Sequence, residues 1–542
     1  MDADPLLENL MGQLGDFGNY QRRQHLLHIL SSFLAGIHML SLTFIAPTPN
    51  HRCFIESLDN NSSSYDLGNS SILSSYIPLN KDGDLDSCLK YVYADTNETA
   101  TCNGNYVFDT SYYKSSRVIE WGLVCGERWK RALLQSVYMF GVLNGAVFLG
   151  SLADTFGRKP IFYFSGILQL VFGVASAFVS NYYVYAVLLF FYGAFGSSGS
   201  YVTGFVLSME LVGPSKRTLC GTAFSISFAV GVMVVAFWAW LIPNVELLQV
   251  VYGLHSLVLI GHWWLVDESI RWLWGQGRVK EAVAIAKKAV EMNGKHLINN
   301  YHDGRAATNR VREEEESYGV MDLFRTPNLR CRTLNVAYNW FANSLVYYGL
   351  SFNIGTLPGN PFFILFLNGL AEFPGYFIVI VLSDRTGRRS LSSLLLFLGG
   401  LSCVVIAFIP RGSIVTAIAM LAKIAVAGSF AIIYNFTAEL YPTVIRNSAV
   451  GISAMAARTS GMITPQIILL DSIGREIPTI IFGCVAIVAA FLALFLPETL
   501  NKEMPQTLED GENFGRGDTG FRTLSRAISR RRYREAGTRL HR

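Results

Sequence analysis

The 542-residue sequence has few charged residues: Asp, Glu, Lys and Arg together make up only 15% of it. A typical soluble domain has about 25%. Neither charge is in marked excess, because 44 basic and 40 acidic residues give a formal net charge of +4. A nucleic-acid-binding protein usually carries a strongly basic face, so the balance gives that class no support. The composition also argues against disordered, fibrous and ordinary cytosolic proteins.

Sequence motifs of several enzyme classes are missing as well. The chain has no Walker A string and no HExxH motif, and its polar segments show no nucleophile–base pair or set of metal ligands. We therefore expect no enzyme, no cofactor and no metal. The first residues, MDADPLLENLMGQLGDFG, are acidic and not apolar. We expect no cleavable signal peptide, and the first apolar segment must itself direct membrane insertion.

Hydrophobic residues make up 51% of the chain and lie in long runs. A helix needs about 20 apolar residues to cross a bilayer core. Twelve segments meet this requirement, which predicts an all-α membrane protein with twelve transmembrane helices. The predicted spans are 24–46, 132–152, 160–179, 184–208, 219–241, 248–266, 334–354, 362–383, 391–409, 414–436, 449–470 and 477–496. Glycines inside them, including Gly141, Gly145, Gly196 and Gly199, suit close helix packing.

Basic residues lie on one side of the predicted spans, which indicates that this side is cytoplasmic. They are Arg22, Arg23, Arg158, Lys159, Lys216, Arg217, Arg385, Arg388, Arg389 and Arg446. The sequence thus predicts a plasma-membrane protein with both termini in the cytoplasm. Its predicted parts are a cytoplasmic N-terminus (1–23), an N-terminal bundle (24–266) with an extracellular loop (47–131), a cytoplasmic linker (267–333), a C-terminal bundle (334–496) and a basic tail (497–542).

The loop after span 1 has the features of an extracellular segment. It contains four N-glycosylation sequons, at Asn60, Asn61, Asn69 and Asn97. It also contains four cysteines, Cys53, Cys88, Cys102 and Cys125. In an oxidising compartment these predict two disulfides, for which three pairings are possible; four free thiols are the alternative.

The two halves of the chain repeat the same motifs at a nearly constant offset. GSLADTFGRKP after span 2 matches VLSDRTGRRS after span 8, MELVGPSKR matches AELYPTVIR, and VDESIRWL matches LPETLNK. The matching charged pairs are Asp154 and Asp384, Arg158 and Arg388, Glu210 and Glu439, Arg217 and Arg446, and Glu268 and Glu498. The repeat predicts two parallel six-helix halves, which are typical of secondary transporters that rock around a central site.

These ten charges are candidate gating residues. Opposite charges at helix ends can pair across the two halves while an inner gate is closed, and the pairs separate when it opens. Alternatively, the charges only fix loop conformation and the orientation of insertion. Their equal spacing in both halves favours gating.

At this point the sequence resembles a known family. GSLADTFGRKP and its partner are similar to the cytoplasmic signature of the major facilitator superfamily. The sequon-rich loop, ESIRWL after span 6 and AELYPTVIRN after span 10 resemble the organic cation, anion and carnitine transporter family. LPETLNKEMPQTLEDGEN is especially like the invertebrate organic cation transporter-like proteins. The resemblance covers nearly the whole chain and implies the major facilitator fold with two pseudo-symmetric six-helix bundles.

Three ionisable residues lie deep within predicted spans: Glu372, Lys423 and Arg458. Each is about ten residues from a span end, hence about 15 Å deep at a rise of 1.5 Å per residue. Such residues cost about 2.5–3.5 kcal/mol each to insert and usually face a cavity. We interpret Glu372 as the partner of a substrate's positive group and Arg458 as a bidentate partner of a substrate's carboxylate. Lys423 is a substrate contact or the counter-charge of Glu372; a permanent ion pair of Glu372 with Lys423 or Arg458 is the alternative.

Aromatic side chains can complete a cation site, because a cation over a Trp or Tyr face gains up to about 2 kcal/mol when desolvated. Trp340, Tyr347 and Tyr348 cluster in span 7, and Tyr434 lies in span 10. Packing against lipid or the protein core is an equal alternative for each ring. The resemblance implies that Trp340, Tyr347 and Glu372 line the family's central cavity.

At one position the sequence differs from the cation transporters of the family that it resembles. The position of Arg458 resembles an aspartate site of the family's cation transporters, whereas an arginine there is similar to the anion and carnitine branches. Glu372, in contrast, is similar to the cation branch. A cavity with one acid and two bases can take a zwitterion, with its carboxylate on Arg458 and its amine on Glu372, so carnitine-like or amino-acid-like substrates are expected beside simple cations. His38 in span 1 is interpreted as a satisfied interior histidine and not as a proton relay.

The sequence thus predicts a polyspecific secondary transporter that moves small organic cations or zwitterions by alternating access. Its partners would be the substrate, the lipid bilayer and a coupling ion, with no nucleic acid. An organic anion exchanger, favoured by Arg458 and Lys423, is the first alternative. A membrane receptor or scaffold without transport is an alternative of another class.

Overall fold

The computed structural model describes residues 5–59, 65, 70–80, 85–93, 98–102, 104–261, 263–298, 319–410, 412–500, 502, 504–516 and 518. The four sequon asparagines Asn60, Asn61, Asn69 and Asn97 lie outside the described residues.

The chain folds into two bundles of helices, whose segments we number as spans 1–12. The N-terminal bundle has span 1 (Asn19–Leu40, continued by Leu42–Ile45), span 2 (Arg128–Phe156), span 3 (Arg158–Ala175), span 4 (Tyr182–Tyr192, Gly193–Ser200 and Tyr201–Leu211), span 5 (Arg217–Leu241) and span 6 (Val245–Leu254 and Leu257–Ile260). The C-terminal bundle has span 7 (Pro327–Phe352), span 8 (Pro361–Leu370 and Glu372–Thr386), span 9 (Arg388–Phe408), span 10 (Ser413–Leu440), span 11 (Arg446–Ile468) and span 12 (Ile477–Ala493). Each segment overlaps one of the twelve predicted spans, with ends that differ by several residues.

Seven segments of the described chain are long and apolar enough on their own to cross a membrane, namely spans 1, 2, 3, 5, 8, 9 and 10. Spans 6 and 12 are shorter apolar helices. Span 7 is more polar because it carries the buried Asn339 and Asn343. Amide side chains in a bilayer need internal partners, and Asn339 Nδ2 finds one at 2.8 Å in Asn335 Oδ1.

Span 4 changes its winding near mid-depth, where Gly193–Ser200 forms a π-helical segment. π-Helical turns are rare and are often found at functional sites. Span 2 packs closely here, because a Cβ on Gly141 would meet the carbonyl oxygen of Phe190 and one on Gly145 would meet that of Ala194. The close helix packing predicted for these glycines is therefore present.

The described residues between spans 1 and 2 lie on one face of the protein, which we call the loop face. Two short antiparallel pairs lie here: His51–Cys53 with Tyr106–Phe108, and Leu89–Tyr91 with Thr99–Thr101. The short helices Glu56–Asp59, Ser70–Ser74 and Arg117–Trp121 complete the segment. Disulfides join Cys53 to Cys102 and Cys88 to Cys125, which selects one of the three pairings that the sequence allowed.

A buried ion pair strengthens the loop-face segment. Arg52 Nη2 lies 2.7 Å from Asp59 Oδ1, and both side chains are almost completely buried. Burial alone would raise the pKa of the Asp59 carboxyl, but hydrogen bonds from Arg52 and from the amide of Ile55 lower it overall. The carboxylate therefore stays charged and compensates the guanidinium.

The opposite face carries both described chain ends, and we call it the tail face. Helices Pro5–Leu14, Ile270–Gly275 and Val279–Met292 pack together beneath the N-terminal bundle, and Leu508–Asn513 lies beneath the C-terminal bundle. The predicted linker (267–333) is thus partly helical, and the predicted tail (497–542) begins with a docked segment. Span 7 begins at Pro327, seven residues before its predicted start.

Candidate functional site

Span 8 is interrupted at mid-depth, and Glu372 lies at the interruption. Pro361–Leu370 ends before Ala371, and a second helix begins at Glu372. Pro374 has no amide hydrogen to continue the first helix, which explains the break. A carboxylate in the first turn of a helix is stabilised by the helix dipole. The local sequence therefore suits a negative charge at this depth.

The Glu372 carboxylate is completely buried and has three partners. Tyr347 donates a hydrogen bond to Oε1 and Tyr376 donates one to Oε2, each 2.6 Å long. Lys423 Nζ lies 3.1 Å from Oε1, and neither charged side chain is exposed. The sequence left open whether Glu372 contacts substrate or forms an internal ion pair; in this structure it pairs with Lys423.

Lys423 occupies the position beside Glu372 at which the sequence predicted a substrate's positive group. Its Nζ donates a hydrogen bond of 2.7 Å to Ser351 Oγ. The same atom lies 3.2 Å from the centroid of the Tyr347 ring, a cation–π geometry. Acid, hydroxyl and aromatic face thus form a cation site that the protein's own lysine fills.

Of the three mid-depth charges, Arg458 is the one that has no counter-charge among the described residues. It is partly exposed, and its Nε has no hydrogen-bond partner in the part of the chain that the structure describes. No described carboxylate forms an ion pair with it. The hydroxyls of Tyr201, Tyr348 and Tyr434 lie within its electrostatic range. Since Glu372 and Lys423 compensate each other, the described residues at the centre carry one uncompensated positive charge.

Aromatic rings pack against one another at the same depth. Tyr434 packs edge-on against Trp340 with centroids 4.2 Å apart, and Phe430 stacks on Tyr347 at 6.0 Å. Trp340 is fully buried and donates a hydrogen bond of 2.9 Å to Thr437 Oγ1. Trp340 therefore packs against Tyr434 within the protein core, and its own ring is not exposed at the site. The partly exposed rings are those of Tyr201, Tyr348, Phe430 and Tyr434.

The structure brings together all six predicted binding residues and adds four that the sequence reasoning missed: Tyr201, Ser351, Tyr376 and Phe430. Tyr376 lies four residues after Glu372, so helical periodicity could have placed it beside the acid. Phe430 has the same spacing to Tyr434. Tyr201 directly follows the glycine- and serine-rich π-helical segment, and no motif marks it.

His38 is buried and hydrogen-bonded, as its interpretation as an interior histidine requires. It is 1% exposed, and its ring nitrogens face the Tyr192 hydroxyl and, at 3.4 Å, Ser256 Oγ.

The candidate gating charges of the N-terminal half form one cluster on the tail face. Arg158 pairs with Glu210 and, at 3.4 Å, with Asp154. Its amide also donates a hydrogen bond of 3.2 Å to Glu268 Oε1. Gly157 has a φ of +109°, and a Cβ there would contact the Glu268 carboxylate. A glycine is therefore required for the acid to reach the start of span 3.

The C-terminal half repeats this cluster. Arg388 lies 3.2 Å from Glu439 and 3.1 Å from Asp384, and its amide donates a hydrogen bond of 2.8 Å to Glu498 Oε1. Gly387, with a φ of +89°, again leaves room for the glutamate. A cavity of about 410 Å³ lies at this cluster, and neither Glu372 nor Arg458 lines it.

The remaining pair of candidate gating residues behaves differently. Arg446 donates a hydrogen bond of 3.3 Å to the Tyr441 carbonyl, and it experiences electrostatic repulsion from Arg217 of the other half. Among the described residues, every ion pair formed by a candidate gating residue thus joins two residues of the same half. The cross-half pairing expected for a closed inner gate is absent from the described residues, so the gating role stays a prediction.

Two helical halves with repeated motifs, enclosing charged and aromatic side chains at mid-depth, define a multi-pass membrane transporter. The sugar (and other) transporter family profile matches residues 86–509. The organic cation transporter protein of Drosophila melanogaster is 37% identical over 525 residues, covering 94% of this chain and 95% of that protein. Human organic cation/carnitine transporter 2 is 32% identical over 520 residues, covering 92% of each.

Solved structures support the same fold. The proton:xylose symporter XylE of the major facilitator superfamily aligns with a TM-score of 0.58 at 17% identity, covering 92% of this chain and 99% of XylE. The chain therefore belongs to the sugar (and other) transporter family and, within it, to the organic cation and carnitine transporter group. Its relatives are transporters and not enzymes.

Proposed function

We propose that this protein moves small organic cations or zwitterions across the plasma membrane by alternating access. The observation that carries the proposal, and within it favours a zwitterion, is the partly exposed Arg458, which lies near three tyrosines and has no counter-charge among the described residues. An unpaired guanidinium in a low-dielectric site attracts a carboxylate strongly. The nearby aromatic faces suit the substrate's ammonium group, so one molecule with both charges satisfies both features.

The loop face is proposed to be extracellular and the tail face cytoplasmic. The four sequons and the two disulfides suit an oxidising exterior, and the basic residues between the spans suit the cytoplasm. The arginine-rich residues 516–542 would then meet the anionic inner leaflet. A zwitterion gains no energy from voltage, so concentrating it requires a coupled ion.

An organic anion exchanger is the second candidate function. Pairing with Lys423 neutralises Glu372, and Arg458 remains, so the net charge of the centre also suits a simple carboxylate. The two candidates differ in what they require of Glu372. A cation or zwitterion carrier needs this acid to limit the positive charge at the centre, whereas an anion carrier does not.

Uptake into oocytes of carnitine, β-alanine, carcinine, tetraethylammonium and p-aminohippurate tests the proposal. We expect carnitine-like zwitterions to be taken up, and Glu372→Gln to reduce their uptake at least about tenfold, because Lys423 then adds an uncompensated positive charge. Glu476→Gln removes an exposed acid of the same half and is the control. Uptake of p-aminohippurate alone, unaffected by Glu372→Gln, would establish the anion exchanger instead; no uptake of any compound would reject transport of these classes.

A further inference from the structure

An ion pair on the loop face joins the two halves. Arg128, the first residue of span 2, places its Nη2 2.5 Å from Oδ2 of Asp471, which follows span 11. Asp471 also lies within electrostatic range of Arg131, one turn further along span 2. A single carboxylate of the C-terminal half thus faces two guanidinium groups of the N-terminal half. None of these three residues belongs to the repeated motifs.

A second polar contact lies deeper on the same two helices. Ser136 donates a hydrogen bond of 2.7 Å to the Met462 carbonyl and accepts one of 3.2 Å from Gln466 Nε2. Ser136 lies two turns beyond Arg128, and Gln466 lies before Asp471, so both contacts follow the seam between spans 2 and 11. The seam is therefore held by side chains at two depths.

The space beside this seam is too small for a substrate. A cavity of about 30 Å³ lies there, lined by Thr43, Arg131, Gln135 and Phe352 among others. That volume corresponds to about one water molecule. On the loop face, spans 2 and 11 are thus joined, and the cavity beside them does not admit a substrate.

The tail face shows no corresponding connection among the residues that the structure describes. Its ion pairs around Arg158 and Arg388 each join residues of one half, and Arg446 lies within electrostatic range of the like charge of Arg217 in the other half. The polar contacts that link the halves thus lie at mid-depth or on the loop face.

We propose that Arg128 and Asp471, supported by Ser136 and Gln466, form a latch that holds the loop face closed and must open before substrate enters from that face. The proposal rests on the alternating access proposed above. Because Arg128 and Asp471 interact only in the state closed at the loop face, their attraction biases the protein toward that state. Removing it raises the population open at the loop face.

Thiol labelling tests the latch without a substrate, so its outcome is independent of whether the substrate class is right. Thr43 is 9% exposed and lines the small cavity, so Thr43→Cys reports opening of the loop face to a membrane-impermeant methanethiosulfonate on intact cells. We expect Asp471→Asn and Arg128→Gln each to raise the labelling rate about threefold to fivefold, as for a partly screened ion pair. The protein without Thr43→Cys corrects for the native cysteines.

A charge swap and a neighbouring ion pair provide the controls. Arg128→Asp combined with Asp471→Arg restores opposite charges and should return labelling to the starting rate. Lys130→Gln breaks the pair of Lys130 with Glu127, which lies within one half on the same face, and should leave labelling unchanged. Equal labelling in all variants, an equal rise in Lys130→Gln, or no recovery in the charge swap would overturn the proposal.

Discussion

At the scale of single residues, the balance of three mid-depth charges determines what the centre can bind. Glu372 and Lys423 lie 3.1 Å apart and neutralise each other, and two tyrosine hydroxyls also donate hydrogen bonds to the acid. Arg458 has no such partner in the described structure. An ionised group in a low-dielectric medium is costly unless it is paired, so the proposed substrate would stabilise this site by bringing a carboxylate to Arg458.

Arg458→Gln should therefore reduce uptake of carnitine and β-alanine at least about tenfold, because the glutamine amide cannot replace a charge-assisted bidentate contact. Arg458→Asp should additionally favour tetraethylammonium over the zwitterions, since the centre then becomes negative. Arg475→Gln, which removes an exposed guanidinium between spans 11 and 12, is the matched control in the same uptake assay. Unchanged zwitterion uptake in Arg458→Gln would exclude this residue as the carboxylate site.

At the scale of secondary-structure elements, the tail helix Leu508–Asn513 serves as a cap for span 7. The Glu512 carboxylate accepts hydrogen bonds of 3.0 Å from the amides of both Asn328 and Leu329, in the first turn of that span. Arg332 of span 7 in turn donates to the Gly511 carbonyl. Amides in the first turn of a helix have no intrahelical acceptor, so an acid from another segment stabilises them.

Glu512→Gln should lower the free energy of unfolding by about 1 kcal/mol, the usual value of a helix cap. Burial alone would raise the pKa of Glu512, but the hydrogen bonds it accepts and the nearby Arg332 lower it overall. Its stabilising effect is therefore complete above the pKa of the unfolded chain and is lost as the pH falls through the lowered folded value. Thermal unfolding in detergent at neutral and acidic pH should show the difference from the unmodified protein only at neutral pH. Glu509→Gln, on the exposed side of the same helix, should have no effect at either pH.

At the scale of the whole molecule, two similar halves meet around one polar centre, and spans 2 and 11 are joined on the loop face. Substrate charge then decides how the membrane potential acts on transport. A substrate with one positive charge gains about 2.3 kcal/mol per 100 mV, which corresponds to about 50-fold accumulation. A zwitterion gains nothing.

Carnitine accumulation should therefore be the same at 0 and at about −100 mV when the medium contains no sodium and there is no proton gradient. Over the same interval of potential, accumulation of a monovalent cation rises about 50-fold. Tetraethylammonium that enters through the unmodified protein should accumulate more at the negative potential. The same is expected, to a larger extent, for the Arg458→Asp variant. Two-electrode voltage clamp with radiolabelled substrates measures both. A voltage-dependent accumulation of carnitine under these conditions would contradict uncoupled movement of the zwitterion.

Local sequence properties determined much of this protein. The apolar runs predicted the twelve spans, the repeated motifs predicted two similar halves, and the four loop cysteines predicted two disulfides. The depth of Glu372, Lys423 and Arg458 followed from the helical rise alone. These features depend on residues close together in the chain, where helical geometry is the same in every protein.

Only the tertiary structure decided which of these residues are partners. It paired Cys53 with Cys102, joined Glu372 to Lys423 and left Arg458 among tyrosines of both halves. It also placed the ion-pair partners of the candidate gating residues within the same half. Arg128, by contrast, pairs with Asp471, which lies 343 residues away in the sequence. Contacts between segments so far apart depend on how the two bundles pack and on their relative tilt, which no local pattern of side chains specifies.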